Sequence, residues 1–132
     1  MREVEAMRFF KGSKRVIGFN EIHETQNSVY IVMPFCTGGI LETDYQYQAT
    51  PYTRRQLKSI MKASLLCLQE LHSKGYMHRD VKPDNLMFAE EYDCDNLMLI
   101  DLGMIHYCKE QTGPTFMKCG TPGYMAPEVI NY

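Results

Sequence analysis

Residues 78–85 read His-Arg-Asp-Val-Lys-Pro-Asp-Asn, so an aspartate, a lysine and an asparagine stand at positions 80, 82 and 85. Asp101-Leu102-Gly103 follows, and then Ala126-Pro127-Glu128. The oxygens of Asp80, Asn85 and Asp101 are of the kind that take a proton or ligate a hard cation such as Mg²⁺. The structural alternative for each is a hydrogen bond at a loop end. Any one of these strings alone arises by chance in ordinary proteins and then serves as a solvated turn; their order and spacing carry the signal.

These groups need elements to bring them together. Between Arg54 and Lys74, apolar residues at Leu57, Ile60, Met61, Leu65, Leu68 and Leu71 have the spacing of one buried helix face. Thr53 with Gln56 can form a capping box at its start, and Gly75 supplies a left-handed stop, so this helix delivers the chain to Tyr76. Leu86 to Phe88 and Leu97 to Ile100 flank the polar stretch AEEYDCDN and read as a hairpin that returns Asp101 to the end where Asn85 lies. From Leu102 to Tyr132 there is no sustained period, and Gly or Pro recurs at 103, 113, 114, 120, 122, 123 and 127; this predicts a long ordered loop of functional kind. Upstream, Val4, Met7 and Phe10 set a helical stripe under way from Met1, and Val16 to His23 and Val29 to Met33 read as two paired strands around ETQNS.

In this order and context the first string resembles the catalytic loop H-R-D-x-x-x-x-N of protein kinases, the second resembles D-F-G with Leu for Phe, and the third resembles the A-P-E that closes the activation loop. The resemblance covers nearly all of the chain and about half of a kinase domain. It implies an α+β, protein-kinase-like bilobal fold, present in part: residues 1–35 as a remnant of the N-lobe from the αC helix to the hinge, and 36–132 as the C-lobe through the A-P-E segment. Neither the G-x-G-x-x-G loop nor the V-A-I-K lysine stands before Glu3, and the 132-residue chain is expected to be inactive alone.

The same resemblance assigns roles. Asp80 would orient the acceptor hydroxyl and take its proton, and Asn85 and Asp101 would hold Mg²⁺ bridging the phosphates of ATP. Lys82 resembles the lysine by which serine/threonine kinases contact the transferring phosphate. Thr121, in Gly120-Thr121-Pro122-Gly123-Tyr124, would hydrogen-bond near Asp80 and Lys82 and line the acceptor site. Tyr30 to Cys36 resembles the fifth strand and hinge, with Met33 as gatekeeper, the Pro34 carbonyl and both main-chain groups of Cys36 as adenine contacts, and Met87 as part of the floor. Glu3 resembles the αC glutamate that pairs with the strand lysine; Glu5 competes, but Glu3 puts Met7 and Phe10 on the inward face. His78 is expected to pack rather than catalyse, and Arg79 resembles the arginine that grips an activation-loop phosphate. The sequence departs at Met117, where relatives often carry the phosphorylated threonine (Thr112 and Thr115 being substitutes), and at Ile40, where many place a ribose-binding glutamate.

The reading is therefore a protein serine/threonine kinase, transferring the γ-phosphate of ATP to protein hydroxyls. The alternatives are a pseudokinase or scaffold, and a small-molecule phosphotransferase, which the A-P-E segment and residues 120–124 oppose. Fourteen basic and 16 acidic residues, net -2, lie scattered without blocks, so neither a nucleic-acid nor a membrane partner is expected. Five cysteines, at 36, 67, 94, 108 and 119, lack the close pairs of zinc sites. Their odd number, with no signal peptide and no long apolar run, predicts reduced thiols, used mostly as small apolar filler, in a cytoplasmic or nuclear protein.

Overall fold

The structure is a computed structural model, and it describes residues 2–47, 50–91, 93–108 and 119–131. In chain order the elements are α1 (Arg2–Phe9), β1 (Glu21–Glu24), β2 (Val29–Val32), α2 (Leu41–Tyr47), α3 (Arg54–Ser73), β3 (Tyr76–Met77), β4 (Leu86–Phe88), β5 (Leu97–Leu99), β6 (His106–Tyr107) and α4 (Pro127–Ile130). Each strand belongs to an antiparallel pair: β1 with β2, β3 with β6, and β4 with β5.

The helix that precedes residues 78–85, α3, begins as its residues dictate. The Thr53 hydroxyl accepts from the Gln56 amide at 3.3 Å, and the Gln56 side chain accepts from the Thr53 amide at 2.9 Å, so two of the N–H groups left over at the helix start are satisfied reciprocally. Lys74 caps the other end, and Gly75, at φ 84, turns the chain into β3. Replacing Thr53 by alanine is expected to cost about 1 kcal/mol of stability, readable as a lowered denaturation midpoint at unchanged m-value.

The buried face of α3 differs from the apolar stripe of the sequence. Ile60, Ala63, Cys67 and Leu71 are buried, whereas Leu57, Met61 and Leu65 are 50%, 62% and 58% exposed. The reason is what α3 packs on: the β4–β5 hairpin lies close against it, and the Cys67 thiol donates to the Leu97 carbonyl at 3.2 Å, a closeness that small side chains permit. Leu86, Phe88, Leu97, Met98 and Leu99 fill the core from the hairpin side.

Two further expectations are corrected. The first of the two paired strands begins at Glu21 rather than Val16; Val16 instead forms a parallel bridge with Leu99, with Ile17 N donating to Leu99 O at 2.9 Å and Leu99 N to Arg15 O at 2.7 Å. The segment after Leu102 is not loop throughout, since β6 pairs with β3 and α4 forms at the A-P-E sequence, where Pro127 has the fixed φ that suits a first helical turn. Of the cysteines, Cys36 and Cys67 are buried as apolar filler would be, and Cys94, Cys108 and Cys119 are partly exposed.

Candidate active site

β3 ends at Met77, and the chain enters the loop through His78, which is 2% exposed. Its ring works in two directions: Nδ1 accepts from the Asp80 amide at 3.2 Å, and Nε2 donates to the Ile100 carbonyl at 3.3 Å. That arrangement needs the neutral ring, and burial is the main cause that lowers the His78 pKa, against the raising influence of the Ile100 carbonyl and of Asp101 and Asp80. An unfolded histidine takes up a proton near 6.5, and the folded one resists it. Between those two values the unfolded chain binds more protons, so stability falls as pH drops below about 6.5. Melting temperatures at pH 7.5 and 5.5 check this: part of the wild-type loss on acidification is expected to be absent in His78→Asn.

Past His78 the loop draws its polar groups into one network. Lys82 Nζ donates to Thr121 Oγ1 at 2.9 Å, and Thr121 Oγ1 donates to Asp80 Oδ1 at 2.7 Å. The Lys82 ammonium also lies 3.5 Å from Asp80 Oδ2. Burial pushes the Asp80 carboxyl up, but the Thr121 hydroxyl and the Lys82 ammonium together outweigh it and hold the group below its ordinary value, so Asp80 is a carboxylate at neutral pH.

A short 3₁₀ turn over Pro83–Asn85 aims Asn85 back at Asp80. Asn85 Nδ2 donates to the Asp80 carbonyl at 2.8 Å and to Asp80 Oδ2 at 3.2 Å. Asn85 is 5% exposed, and its Oδ1 receives no hydrogen bond from any described residue. A buried acceptor left without a donor is the kind of atom a cation satisfies. Asp101 is exposed; its Oδ1 accepts from the Gly103 amide at 3.0 Å, and its other oxygen has no described donor. Two hard oxygen donors fit Mg²⁺, which binds through one or two protein groups and takes its remaining ligands from phosphates and water. Among the described residues no group of three or more His, Cys, Asp or Glu side chains could hold a metal by itself.

The remaining assigned residues are placed as follows. Main-chain bonds tie Thr37 N to Ala89 O and Gly38 N to Phe88 O, and a Cβ on Gly38 would sit 2.3 Å from the Glu90 carbonyl oxygen, so this crossing needs glycine. Just before it, the Pro34 carbonyl and the main chain of Cys36 make no hydrogen bond to a described residue. Met87, half-buried, forms an antiparallel bridge with Ile40. Met33 is 49% exposed. Glu3 is exposed on α1 and makes no hydrogen bond or ion pair with a described residue. Arg79 Nε donates to the Met104 carbonyl at 2.7 Å, so the arginine holds the chain just after Asp101-Leu102-Gly103. Thr112, Thr115 and Met117 lie outside the described residues.

Sequence reasoning missed the backbone of the site. Arg79 and Asp101 adopt left-handed conformations, φ 70 and φ 60, which for residues other than glycine mark strain at functional positions. Aspartate tolerates that region better than most residues, a weak signal at 101; arginine gives none at 79.

Beside Asp80 and Thr121 opens a cavity of about 210 Å³, lined by Val81, Cys119, Tyr124, Met125 and Val129 among others. A larger hollow of about 550 Å³ runs along the exposed face of α3, between Lys58, Met61, Lys62 and Leu65. It lacks a carboxylate, a histidine or a thiol, so the smaller cavity, into which the Asp80 network opens, is the candidate site.

Residues 1–132 match a family model described as protein kinase domain. The chain is 36% identical over 128 residues to a probable serine/threonine-protein kinase 2 of Plasmodium falciparum, which covers 97% of this chain and 24% of that protein. It is 37% identical over 130 residues to calcium-dependent protein kinase 14 of Arabidopsis thaliana (98% and 24%), and 36% identical over 129 residues to calcium-dependent protein kinase 8 of the same plant (98% and 24%). The chain thus spans about a quarter of the length of these curated relatives.

Proposed function

The chain belongs to the protein kinase domain family, and from that premise we propose that it carries the catalytic loop of a protein serine/threonine kinase, which transfers the γ-phosphate of ATP to serine or threonine hydroxyls of other proteins. One observation carries the reading: the hydrogen-bonded chain Lys82 Nζ to Thr121 Oγ1 to Asp80 Oδ1, at 2.9 and 2.7 Å, joins residues about forty apart in sequence beside an open cavity.

In the reaction an acceptor hydroxyl enters beside Asp80, whose ionised carboxylate accepts its proton as the oxygen–phosphorus bond forms and the bond to the β-phosphate oxygen breaks. Lys82, already charged and directed there by Thr121, offsets negative charge on the transferred group. Asn85 and Asp101 are the residues that would hold Mg²⁺, which when bound neutralises charge on the phosphates. Adenine is assigned to the Pro34 carbonyl and the Cys36 main chain over Met87, and Glu3 to the phosphate-binding apparatus. We assign residues 1–35 to the upper lobe and 36–132 to the lower. The five free cysteines favour a reducing compartment, cytosol or nucleus; no helix among the described residues is long and apolar enough to cross a membrane.

The test is to incubate the full-length protein with labelled ATP, Mg²⁺ and peptides presenting Ser, Thr or Tyr, then hydrolyse the products and identify the labelled amino acid. Label on serine or threonine is expected, and label confined to tyrosine overturns the assignment. Nucleotide binding with no labelled product would point instead to a scaffold without transfer.

A further inference from the structure

The groups assigned above lie on three segments: Glu3 on α1, residues 80–85 after β3, and Asp101 ahead of β6. The elements that carry or adjoin these segments, α1, β3 and β6, meet on one side chain. Tyr76, at the start of β3, is 9% exposed, and its ring lies 5.8 Å from Phe9 and 5.9 Å from Phe10 of α1, the latter edge-on at 62°. The ring of Tyr107 in β6 is 4.9 Å from it.

The pairing of β3 with β6 is short. The ladder between them has two residue pairs, Tyr76 with Tyr107 and Met77 with His106, extended by Cys108 N donating to Gly75 O at 2.8 Å. So short a pairing is marginal without packing on one face. Two residues beyond Tyr76, the buried ring of His78 grips both the Asp80 amide and the Ile100 carbonyl, next to Asp101. A shift of Tyr76 is therefore passed along two bonded residues to the groups that set Asp80 against Asp101.

We propose that Tyr76 is a positioning residue for phosphotransfer: packed against Phe9 and Phe10 of α1 and against Tyr107 of β6, it couples the placement of α1 to the separation of Asp80 and Asp101. The inference rests on the kinase reading of that site. Aromatic packing is directional as well as apolar, so an aliphatic replacement of similar volume keeps burial and loses orientation.

The design uses the fact that Phe10 and Tyr107 each touch Tyr76 and make no ring contact with one another. Residues that share a partner couple through it, so their losses do not add. Phe10→Leu, Tyr107→Leu and the double variant are made in the full-length protein, with and without Tyr76→Leu, and kcat is measured per nucleotide-binding molecule together with KM for the acceptor peptide and the melting temperature. Each single change is expected to lower kcat about tenfold with KM within about twofold. The double variant is expected to lose little more than either single one, and neither change is expected to matter further once Tyr76 is leucine. Tyr107→Phe, which keeps the ring, is expected to retain kcat. Methionine at the same positions, which refills the volume without a ring, replaces any leucine variant that fails to fold. Losses that multiply to about a hundredfold in the double variant, or unchanged kcat with only a lowered melting temperature, overturn the proposal while leaving the kinase reading intact. A wild-type protein that transfers no phosphate removes that reading, and this inference with it.

Discussion

Asp80→Asn in the full-length protein is expected to lower kcat by about a hundredfold or more, a loss of about 2.7 kcal/mol in transition-state stabilisation, while the affinity for ATP changes little. Asparagine keeps the shape of the side chain, and its one oxygen can still accept from the Thr121 hydroxyl as Oδ1 does at 2.7 Å, but its amide nitrogen then stands where Oδ2 faced Lys82 and Asn85 and accepts from neither. What it lacks is a carboxylate that can take a proton. In the wild type that carboxylate is ionised: burial raises its pKa, and Thr121 and Lys82 together more than reverse that. A depressed folded value means that the active form is present above it, so acidification from pH 7 to 5 is not expected to switch off Asp80. Measuring kcat and ATP affinity for both proteins checks the prediction; near-normal turnover in the variant would remove Asp80 from the reaction.

Asp101→Ala is expected to weaken Mg²⁺-dependent nucleotide binding more than Asn85→Ala does, because a carboxylate neutralises more metal charge than an amide. The two side chains also differ in what else they hold. Asn85 gives both protons of its amide to Asp80, at 2.8 and 3.2 Å, so its loss disturbs the proton acceptor and lowers kcat as well. Among the described residues Asp101 holds only the Gly103 amide, within its own turn, and its removal falls mainly on the bound cation. Titrating Mg²⁺ in a nucleotide-binding assay on wild type and both variants gives the order, and the reverse order would reassign the metal roles.

Much of this site was legible because its parts are local. The capping box of Thr53 and Gln56, the stop at Gly75 and the two apolar runs around AEEYDCDN each depend on neighbours a few residues away, and each formed at or next to the expected place. The burial of α3 was not legible in the same way. An apolar stripe states that a face avoids water, but which face meets the hairpin was decided by the small residues Ala63 and Cys67, which a search for large apolar side chains passes over. Val16 read as part of a strand for a related reason: its β-branched type fits any half-buried extended segment, and only the distant Leu99 fixed its bridge. The left-handed backbone at Arg79 is likewise a tertiary effect, since nothing in an arginine favours it and its Nε contact with Met104 spans 25 residues. Tyr76 looked like one tyrosine among nine; its importance comes from rings contributed by α1 and β6.

The measurement that bears most directly on the account is the initial rate of phosphate transfer from labelled ATP to a serine/threonine protein substrate, for the full-length wild-type protein beside Asp80→Asn and Asp101→Ala, at equal nucleotide-binding concentration. The network of Asp80, Lys82, Thr121 and Asn85 predicts Mg²⁺-dependent transfer by the wild type and a loss of about a hundredfold or more in both variants. Equal rates in all three proteins, or transfer that persists at full rate without a divalent cation, would contradict it.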